Sequence, residues 1–484
     1  MSEGGDRFRG VLEKLSQVPW ARLGHAYGSA SDVPDQIRAL RSGDAAVREA
    51  ARRALNGNIF HQGTRYEASA FAVPFLLELL ADPVTPERAD LLALLTSLAI
   101  GVDESWLPGP FPVASYREQA AGGEPILRAA PLPSYDDDSV FRYVEALDDR
   151  GRESMFAFIE LSAYDAVRTG VPLFRDLLSA GEPRLRVAAA YALAWFPEDA
   201  SAIRPALIAG TSDPNPAVAA TALVSLGLLI APTSTSTDLA TADVTLVAAT
   251  RTPADTTETT LARFTRSSPC TAEPNPDPAT QAIPARLDRT EVVPAGTTVV
   301  AVAFGAAGDD GAAIIRAALG DGRELVRWGA AVALAGLDGP ATGRAVAEEL
   351  LKWAGRSGSR VPEVPFLDGD LSGLAGLALR QLGDEHADAA FEALLVRIPA
   401  VSGPDALPVV GEALRRAFPG GRVGETACFA DLDQLQQRLL RKLAESPTTW
   451  QWGESGLFAN FTLLVNAYGL PRNAEDMRAF VTTN

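Results

Sequence analysis

Internal repetition is the feature that most constrains the fold of this chain. Five segments share one pattern: an apolar residue, often followed by arginine, then an alanine-rich run, and a leucine eight positions after the first residue. The clearest copy runs from Val326 to Leu334, and the others begin at Val47, Leu185, Val218 and Leu374. Because positions i, i+4 and i+8 lie on one face of a helix, each copy predicts a helix whose alanines let neighbouring helices approach closely.

Turn signals and a second apolar segment accompany these copies. Asp213-Pro214-Asn215-Pro216 and Gly181-Glu182-Pro183 stand directly before two of them, and proline and aspartate there end one helix and begin the next. An apolar segment such as 172–178 lies upstream and predicts a partner helix. A helix pair of this size cannot bury its own apolar face, so it must stack on a neighbour. The sequence therefore predicts an all-α fold, an α-solenoid of antiparallel helix pairs, with strands in less than about a tenth of the chain.

The register of the pattern also predicts which side chains form the core. The last leucines of three copies, Leu193, Leu226 and Leu334, are expected to be almost completely buried between adjacent helices. Three tryptophans on or beside the apolar helical faces are expected in the core as well: Trp195, Trp328 and Trp353.

The repeats divide the chain into six regions. Four are predicted to be helical: repeats over 1–100, 139–231 and 311–420, and a C-terminal cap over 421–484. Residues 101–138 are rich in proline and glycine and predict a long loop over one face. Residues 232–310 predict an irregular insertion or linker, because threonine, serine and proline dominate 232–300 without apolar periodicity. Three alternatives are open for 232–300: disorder, a small β-hairpin, and a locally shifted reading frame. If the segment is disordered, limited proteolysis should cut it before the repeats.

Charge and cysteine content narrow the function classes. Asp and Glu number 61 against 43 Lys and Arg, a formal net charge of −18. Such a surface repels phosphate groups, which argues against nucleic acid and anionic membranes as partners. No apolar run is long enough to span a bilayer, and the first residues do not resemble a secretory signal, so a cytoplasmic protein is expected. Cys270 and Cys428 are too far apart in sequence to predict a disulfide framework or a thiolate metal site.

The residues needed for common catalytic chemistry are absent from the sequence. It holds three histidines and no HExxH, GxSxG or GxxxxGK[ST] motif. The acidic runs 136–138 and 148–149 are typical of solvated turns. The sequence therefore predicts no catalytic residue, no metal site, no cofactor and no enzymatic activity.

The richest local group of polar and aromatic residues runs from Asn58 to Glu67. Thr64 and Glu67 have the spacing of a capping box at the start of the following helix. Within that helix, Phe71, Phe75 and Leu79 are expected to form one buried face.

Five side chains are candidate contacts for a partner. His61, Arg65 and Tyr66 are predicted to donate or accept hydrogen bonds at the mouth of a groove, although a purely structural role is the alternative. Trp450 and Trp452 follow Pro447-Thr448-Thr449 with period-two spacing, which predicts an extended segment in which one ring packs on the last repeat and the other faces a partner. A capping role for both rings is the alternative. Tryptophan and arginine are favoured anchors at interfaces.

Two of the repeat copies resemble a known family. Asp213–Val218 and Glu324–Ala331 resemble the second-helix consensus of HEAT repeats, and the resemblance extends over 32–100, 139–231 and 311–420. The segment around His61 is similar to one found in bacterial HEAT-repeat proteins of unassigned role, and the preference for arginine over lysine is typical of a GC-rich bacterial genome. The resemblance implies an α-solenoid fold, shared by scaffolds, transport factors, lyases and DNA glycosylases.

The concave surface of a solenoid suits a protein or peptide ligand. We therefore expect a non-enzymatic protein-interaction scaffold or regulatory binding protein, whose partner carries a basic face. An immunity-type inhibitor of a basic toxin is one alternative. A DNA glycosylase of the HEAT-like type is a second, but it needs a basic concave face, which a charge of −18 disfavours. A lyase similar to those of the phycobilins is a third, without a distinguishing residue.

Overall fold

The computed structural model describes residues 12–134, 139–231, 310–424, 428–452, 456 and 458–482. Within them the protein is an all-α solenoid with 21 α-helices and four strands of two residues each, which confirms the predicted fold class and low strand content. The predictions for the acidic run 136–138, for 232–300 and for Cys270 lie outside the described residues. None of the helices in the described part of the chain combines the length and apolar character needed to cross a bilayer.

The helices are numbered here in chain order. The first twelve are α1 Val33–Ala39, α2 Ala45–Ile59, α3 Glu67–Ala81, α4 Arg88–Ile100, α5 Val113–Gln119, α6 Gly123–Ala129, α7 Ser139–Ala146, α8 Asp149–Arg168, α9 Val171–Leu177, α10 Pro183–Leu193, α11 Ala200–Gly210 and α12 Pro216–Ile230. The remaining nine are α13 Asp310–Ala318, α14 Glu324–Asp338, α15 Arg344–Ala354, α16 Leu371–Ala378, α17 Ala387–Arg397, α18 Ala406–Ala417, α19 Gln434–Ala444, α20 Ala459–Ala467 and α21 Ala474–Thr482. The strands form two antiparallel hairpins, β1 Gly24–His25 with β2 Gly28–Ser29, and β3 Phe60–His61 with β4 Thr64–Arg65.

The five predicted repeat copies lie on α2, α10, α12, α14 and α16. Each of these helices packs against the one before it in the chain, which gives the predicted helix pairs. The second helices of successive pairs also pack side by side, in the order α4, α10, α12, α14, α16 and α18. We call this series the inner row. It is the continuous core that stacking of the repeats requires.

In three of the five copies, those on α2, α10 and α14, the arginine of the pattern closes the turn inside the helix pair. The guanidinium of Arg186 donates to the carbonyl oxygens of Ala180 and Gly181, at 2.9 and 3.2 Å. Arg327 makes the equivalent bonds five and six residues upstream, and Arg48 donates to the carbonyl six residues upstream, at 2.9 Å. The last carbonyls of a helix have no partner within it. The repeated arginine therefore stabilises the connection that sets the angle between the two helices.

The inner row is continuous, because α12, which precedes residues 232–309, packs directly on α14, which follows them. Helices α12 and α14 approach so closely that a Cβ on Gly329 would lie 2.7 Å from the carbonyl oxygen of Ala220, and one on Gly227 would lie 2.6 Å from the Cβ of Ala333. Only glycine permits this approach. The two ends of the flanking chain also meet, since a Cβ on Gly311 would lie 3.4 Å from the side chain of Ile230.

The prediction of a long loop over 101–138 is wrong for much of that region. Helices α5 and α6 form there and pack against α8. Trp106, Phe111 and Tyr116 pack their rings together at centroid distances of 5.1 to 5.7 Å, and Phe111 stacks on Tyr164 of α8. The proline and glycine content correctly predicted irregular connections in this segment. It did not predict that aromatic side chains of the segment pack it against the helices of the array.

The predicted core residues are confirmed. Leu193 and Leu226 have no exposed surface and Leu334 is 1% exposed. The three tryptophans predicted in the core are also buried. Trp328 in addition donates its indole N–H to the carbonyl of Leu371, at 3.1 Å, which ties α14 to α16.

Replacement of Leu334 by alanine is expected to lower the free energy of unfolding by about 2–5 kcal/mol. The substitution leaves a cavity inside the inner row that the neighbouring helices cannot fill without moving. Urea unfolding followed by circular dichroism measures the loss. Leu132→Ala is the matched control, since Leu132 is largely exposed and its truncation should change stability by no more than about 0.5 kcal/mol. Equal effects of the two variants would contradict the assigned register.

Candidate functional site

Two β-hairpins lie next to each other at the N-terminal end of the array. The second hairpin turns through Gln62 and Gly63, whose φ angles of 49° and 84° are both positive, the geometry of a tight two-residue turn. In the first, Ala26 and Tyr27 connect the strands. Hairpins this short are not stable by themselves. Side chains from the surrounding helices must therefore hold them.

His25 holds the first hairpin. Its Nδ1 accepts the backbone N–H of Tyr27 at 3.0 Å, so the proton lies on Nε2, which donates to Asp32 at 3.0 Å. Asp32 also accepts from Asn58 at 2.9 Å, at the end of α2. Burial by itself would raise the pKa of Asp32, but the hydrogen bonds from His25 and Asn58 outweigh it and the pKa is lowered. Both ring nitrogens of His25 are thus used to position the hairpin.

Arg65 holds the second hairpin from inside. It is only 2% exposed. Its guanidinium lies 3.0 Å from the carboxylate of Glu160 on α8 and donates to the carbonyl of Gly63 at 2.8 Å. The prediction that Arg65 contacts a partner is therefore wrong, because its charge is neutralised inside the protein. Gly101 makes room for it, since a Cβ there would lie 2.3 Å from a guanidinium nitrogen.

Tyr66 is also buried, so its predicted partner contact is wrong as well. It is the N-cap residue of α3, and its backbone N–H donates to the Oγ of Ser69 at 2.8 Å. The Ser69 hydroxyl in turn donates to the carbonyl of Ile59 at 2.6 Å. The helix thus begins two residues later than the predicted Thr64–Glu67 capping box, because Thr64 belongs to β4.

Glu67 has a different role from the predicted one. Its carboxylate accepts the backbone N–H of Gly24 at 3.3 Å, which connects α3 to the first hairpin. Partial burial raises its pKa. Further along α3, Phe75 and Leu79 are buried as predicted, but Phe71 is wrongly placed in that set, since 42% of it is exposed.

Tyr27 and His61 form the exposed part of this region. Tyr27 is 43% exposed, its hydroxyl lies 3.4 Å from Nδ1 of His61, and the rings meet edge to face at 5.4 Å. Val102 is also exposed and lies beside the turn, since a Cβ on Gly63 would be 3.6 Å from it. We call Tyr27, His61 and Val102 the hairpin surface. Of the three neighbouring residues predicted from sequence, only His61 reaches solvent, and Tyr27 carried no signal beyond the glycines around it.

The two C-terminal tryptophans have different environments. Trp450 is buried, donates its indole N–H to the carbonyl of Leu443 at 3.1 Å and packs on Phe461, so its predicted partner contact is wrong. Trp452 is 57% exposed, and its ring lies against Gly403 and Phe458. Trp452 therefore remains a candidate contact.

The inner row does not form an open groove along its middle. Residues 217–228 of α12, 328–335 of α14 and 371–378 of α16 are buried on every side. Part of the cover is residues 359–370, which we call the covering loop. The ring of Phe366 from this loop lies 4.9 Å from Tyr191 and 6.2 Å from Trp195. The covering loop thus packs on α10 and the residues directly after it.

Charged clusters elsewhere are neutralised by their own members. A cleft of about 730 Å³ lies where α5, α8, α9 and α11 meet. Arg117 in it binds both Asp165 and Glu198, and Arg168 binds Asp199. In the part of the chain that the structure describes, no group of three or more His, Cys, Asp or Glu side chains is arranged to hold a metal ion.

No protein-family model matches the chain, and no curated protein matches its sequence. Among solved structures it is similar to an engineered protein, with 14% identity over 100% of this chain and 97% of that one, at a TM-score of 0.27. It is also similar to Kap121p bound to Ste12p, with 11% identity over 91% of this chain, at a TM-score of 0.19, and it spans 45% of that chain. Scores this low carry no argument about function, and the solenoid fold rests on the helices described above.

Proposed function

We propose that this helical-repeat protein is a non-enzymatic interaction scaffold that binds a protein partner through the hairpin surface. The observation that carries the proposal is the support given to Tyr27. Buried polar side chains, among them His25, Arg65 and Ser69, hold two very short hairpins and leave an aromatic ring half exposed beside His61. Aromatic rings on rigidly held loops are favoured anchors in interfaces.

The charge of the region supports a basic protein or peptide as the partner. Asp32 and Glu67, two carboxylates that bond to residues of the first hairpin, are partly exposed, whereas Arg65 of the second hairpin is buried against Glu160. The net charge of −18 acts in the same direction at long range. Association should therefore slow as salt is added, because screening extends over about 8 Å at physiological ionic strength.

We further propose that the protein belongs with bacterial HEAT-repeat proteins of unassigned role and has no catalytic activity of its own. The arginine that closes three of the helix pairs supports the first part. The lack of catalytic activity is supported by three polar side chains that all make structural contacts: His25, Arg117 and Arg168. An inhibitor of a basic toxin is a special case of the same proposal. A DNA glycosylase is not favoured, because the middle of the inner row is covered and the charge is negative.

A partner recovered from the native host provides the test. We expect the double variant Tyr27→Ala, His61→Ala to recover at least about tenfold less partner, since truncation of a central aromatic anchor costs about 2 kcal/mol or more and about 1.4 kcal/mol corresponds to tenfold. Quantitative mass spectrometry of the captured protein measures this. Val84→Ala is the matched control, because Val84 is exposed outside the hairpin surface. Trp452→Ala tests the other exposed aromatic residue. Full recovery with the double variant would remove the hairpin surface from the interface.

A further inference from the structure

The covering loop has closed ends and a strained tip. At its base the N–H of Val361 donates to the carbonyl of Gly369 at 2.9 Å, next to a bridge between Arg360 and Asp370. At its tip Leu367 and Asp368 both have left-handed backbones, with φ of 48° and 51°. Two consecutive residues with side chains rarely adopt this conformation, so contacts outside the loop must maintain it.

The contact at the tip comes from the other half of the molecule. The backbone N–H of Leu367 donates to a carboxylate oxygen of Asp103 at 3.0 Å, although the two residues are 264 positions apart. Asp103 lies just after α4 and is buried, and the hydroxyl of Tyr191 on α10 also bonds to it. Phe366, directly before the tip, packs on Tyr191. The carboxyl group of Asp103 thus joins α4, α10 and the covering loop.

The surroundings of Asp103 disfavour its ionised form. The charged groups that face it are Glu104, next to it in the chain, and Asp368 on the covering loop, and both are acidic. Arg360, the nearest arginine of the loop, is instead paired with Asp405 and donates to the carbonyl of Asp368. In the described residues no basic side chain forms an ion pair with Asp103. The pKa of Asp103 is raised to about 7, mainly by burial and also by the acidic neighbours Glu104 and Asp368, against the opposing hydrogen bonds from Leu367 and Tyr191.

We infer that the burial of Asp103 against the covering loop acts as a proton-dependent latch: the loop stays on the inner row while Asp103 is protonated and is released when Asp103 ionises. The reason is that burying the negative charge beside Glu104 and Asp368 outweighs the stronger hydrogen bonds that the carboxylate would accept from Leu367 and Tyr191. Release would uncover the aromatic side chains of Tyr191 and Trp195, which the loop packs against through Phe366. The inference does not rest on the proposed function.

The direction of the pH dependence follows from the two states. With the loop closed the pKa of Asp103 is about 7, whereas with the loop open it returns to about 3.9, the value of a solvated aspartate. Below about pH 4 both states are protonated and the latch is most stable. Between about pH 4 and 7 only the open state ionises, so the opening equilibrium rises about tenfold per pH unit. Above about pH 7 both states are ionised and no further change is expected.

Hydrogen exchange of the full-length protein at pH 5, 6, 7 and 8 tests the latch. After correction for the intrinsic exchange rate, the protection of the Leu367 amide should fall about a hundredfold between pH 5 and pH 7 and change little above that. In Asp103→Asn, whose side chain can still accept from Leu367 but cannot ionise, protection should not depend on pH. Amides of α14 serve as the internal control, because they report the stability of the array itself.

A second variant keeps the test decisive if Asp103→Asn does not fold. Glu104→Gln removes one neighbouring negative charge, so the pH at which the fall in protection ends should move to lower values. Equal pH dependence in the wild type and Asp103→Asn would overturn the latch. So would protection of Leu367 that does not change with pH in the wild type, or an unchanged end point in Glu104→Gln.

Discussion

Replacement of Gly329 by alanine is expected to lower the free energy of unfolding by about 3 kcal/mol, the upper part of the range for overpacked cores. The added Cβ would lie 2.7 Å from the carbonyl oxygen of Ala220 and 3.0 Å from its Cα. Both atoms belong to the backbone of α12, so no side-chain rotation can relieve the contact. Helices α12 and α14 must move apart, and the inner row would then lose close packing at its centre. Thermal and urea unfolding measure the change.

Helix α14 also contains a control position, at which replacement of glycine by alanine should raise the free energy of unfolding. A Cβ on Gly336 would lie 4.0 Å from its nearest neighbour, the Cβ of Ala231. Gly336→Ala is therefore expected to increase stability by about 0.5–1 kcal/mol, the usual difference between the two residues inside a helix. A Gly329→Ala protein as stable as the Gly336→Ala protein would show that the two helices are not packed as closely as described.

Replacement of Glu412 by alanine is expected to cost about 3–5 kcal/mol, the range measured when one member of a buried ion pair is removed. Glu412 on α18 has no exposed surface, and its carboxylate accepts from Arg380, Arg415 and Arg416 at 2.6 to 3.0 Å. Alanine would remove the buried carboxylate that these three cations share. Glu392→Ala is the matched control, because its ion pair with Arg438 is largely exposed and should contribute no more than about 1 kcal/mol.

The contribution of Glu412 also predicts a pH dependence. Burial would raise its pKa, but the three arginines outweigh burial and the pKa is lowered. A lowered pKa in the folded state stabilises the protein above the ordinary value for glutamate, about 4.3, and this stabilisation is lost as pH falls through the lowered value. Acid unfolding of Glu412→Gln should therefore be less steep than that of the wild type. Identical acid transitions would contradict the assigned ion pairs.

The parts of the fold that sequence predicted correctly depend on local pattern. Burial of Leu193, Leu226 and Leu334 follows from the period of the helix, which each segment carries within itself. The turn signal Gly181-Glu182-Pro183 is likewise local, since α10 begins at its proline. The same pattern did not show that Phe71 is exposed, because only the packing of α3 against other helices decides which of its faces is buried.

The candidate site was less predictable because its contacts are distant in sequence. Arg65 looked like a surface cation until the fold placed Glu160 of α8 beside it. Asp103 gave no signal at all, since its hydrogen-bond donor lies 264 residues away and acts through its backbone. His61 was identified from its polar surroundings, whereas Tyr27, its exposed neighbour, comes from a hairpin with no recognisable motif.

The junction between α12 and α14 has a consequence for how the chain folds. Helices α10 and α12 of the inner row are joined by contacts of short sequence separation, such as the 35 residues between Ala190 and Ser225. At the junction between α12 and α14 Arg323 donates to the carbonyl of Asp213 across 110 residues. In the unfolded chain, closing a loop of this length costs about 1 kcal/mol more free energy, through lost chain entropy, than closing the shorter one. This difference corresponds to about fivefold in the equilibrium constant for loop closure. Helices on each side can therefore assemble from local contacts first, and formation of this interface joins the two halves into one cooperative array.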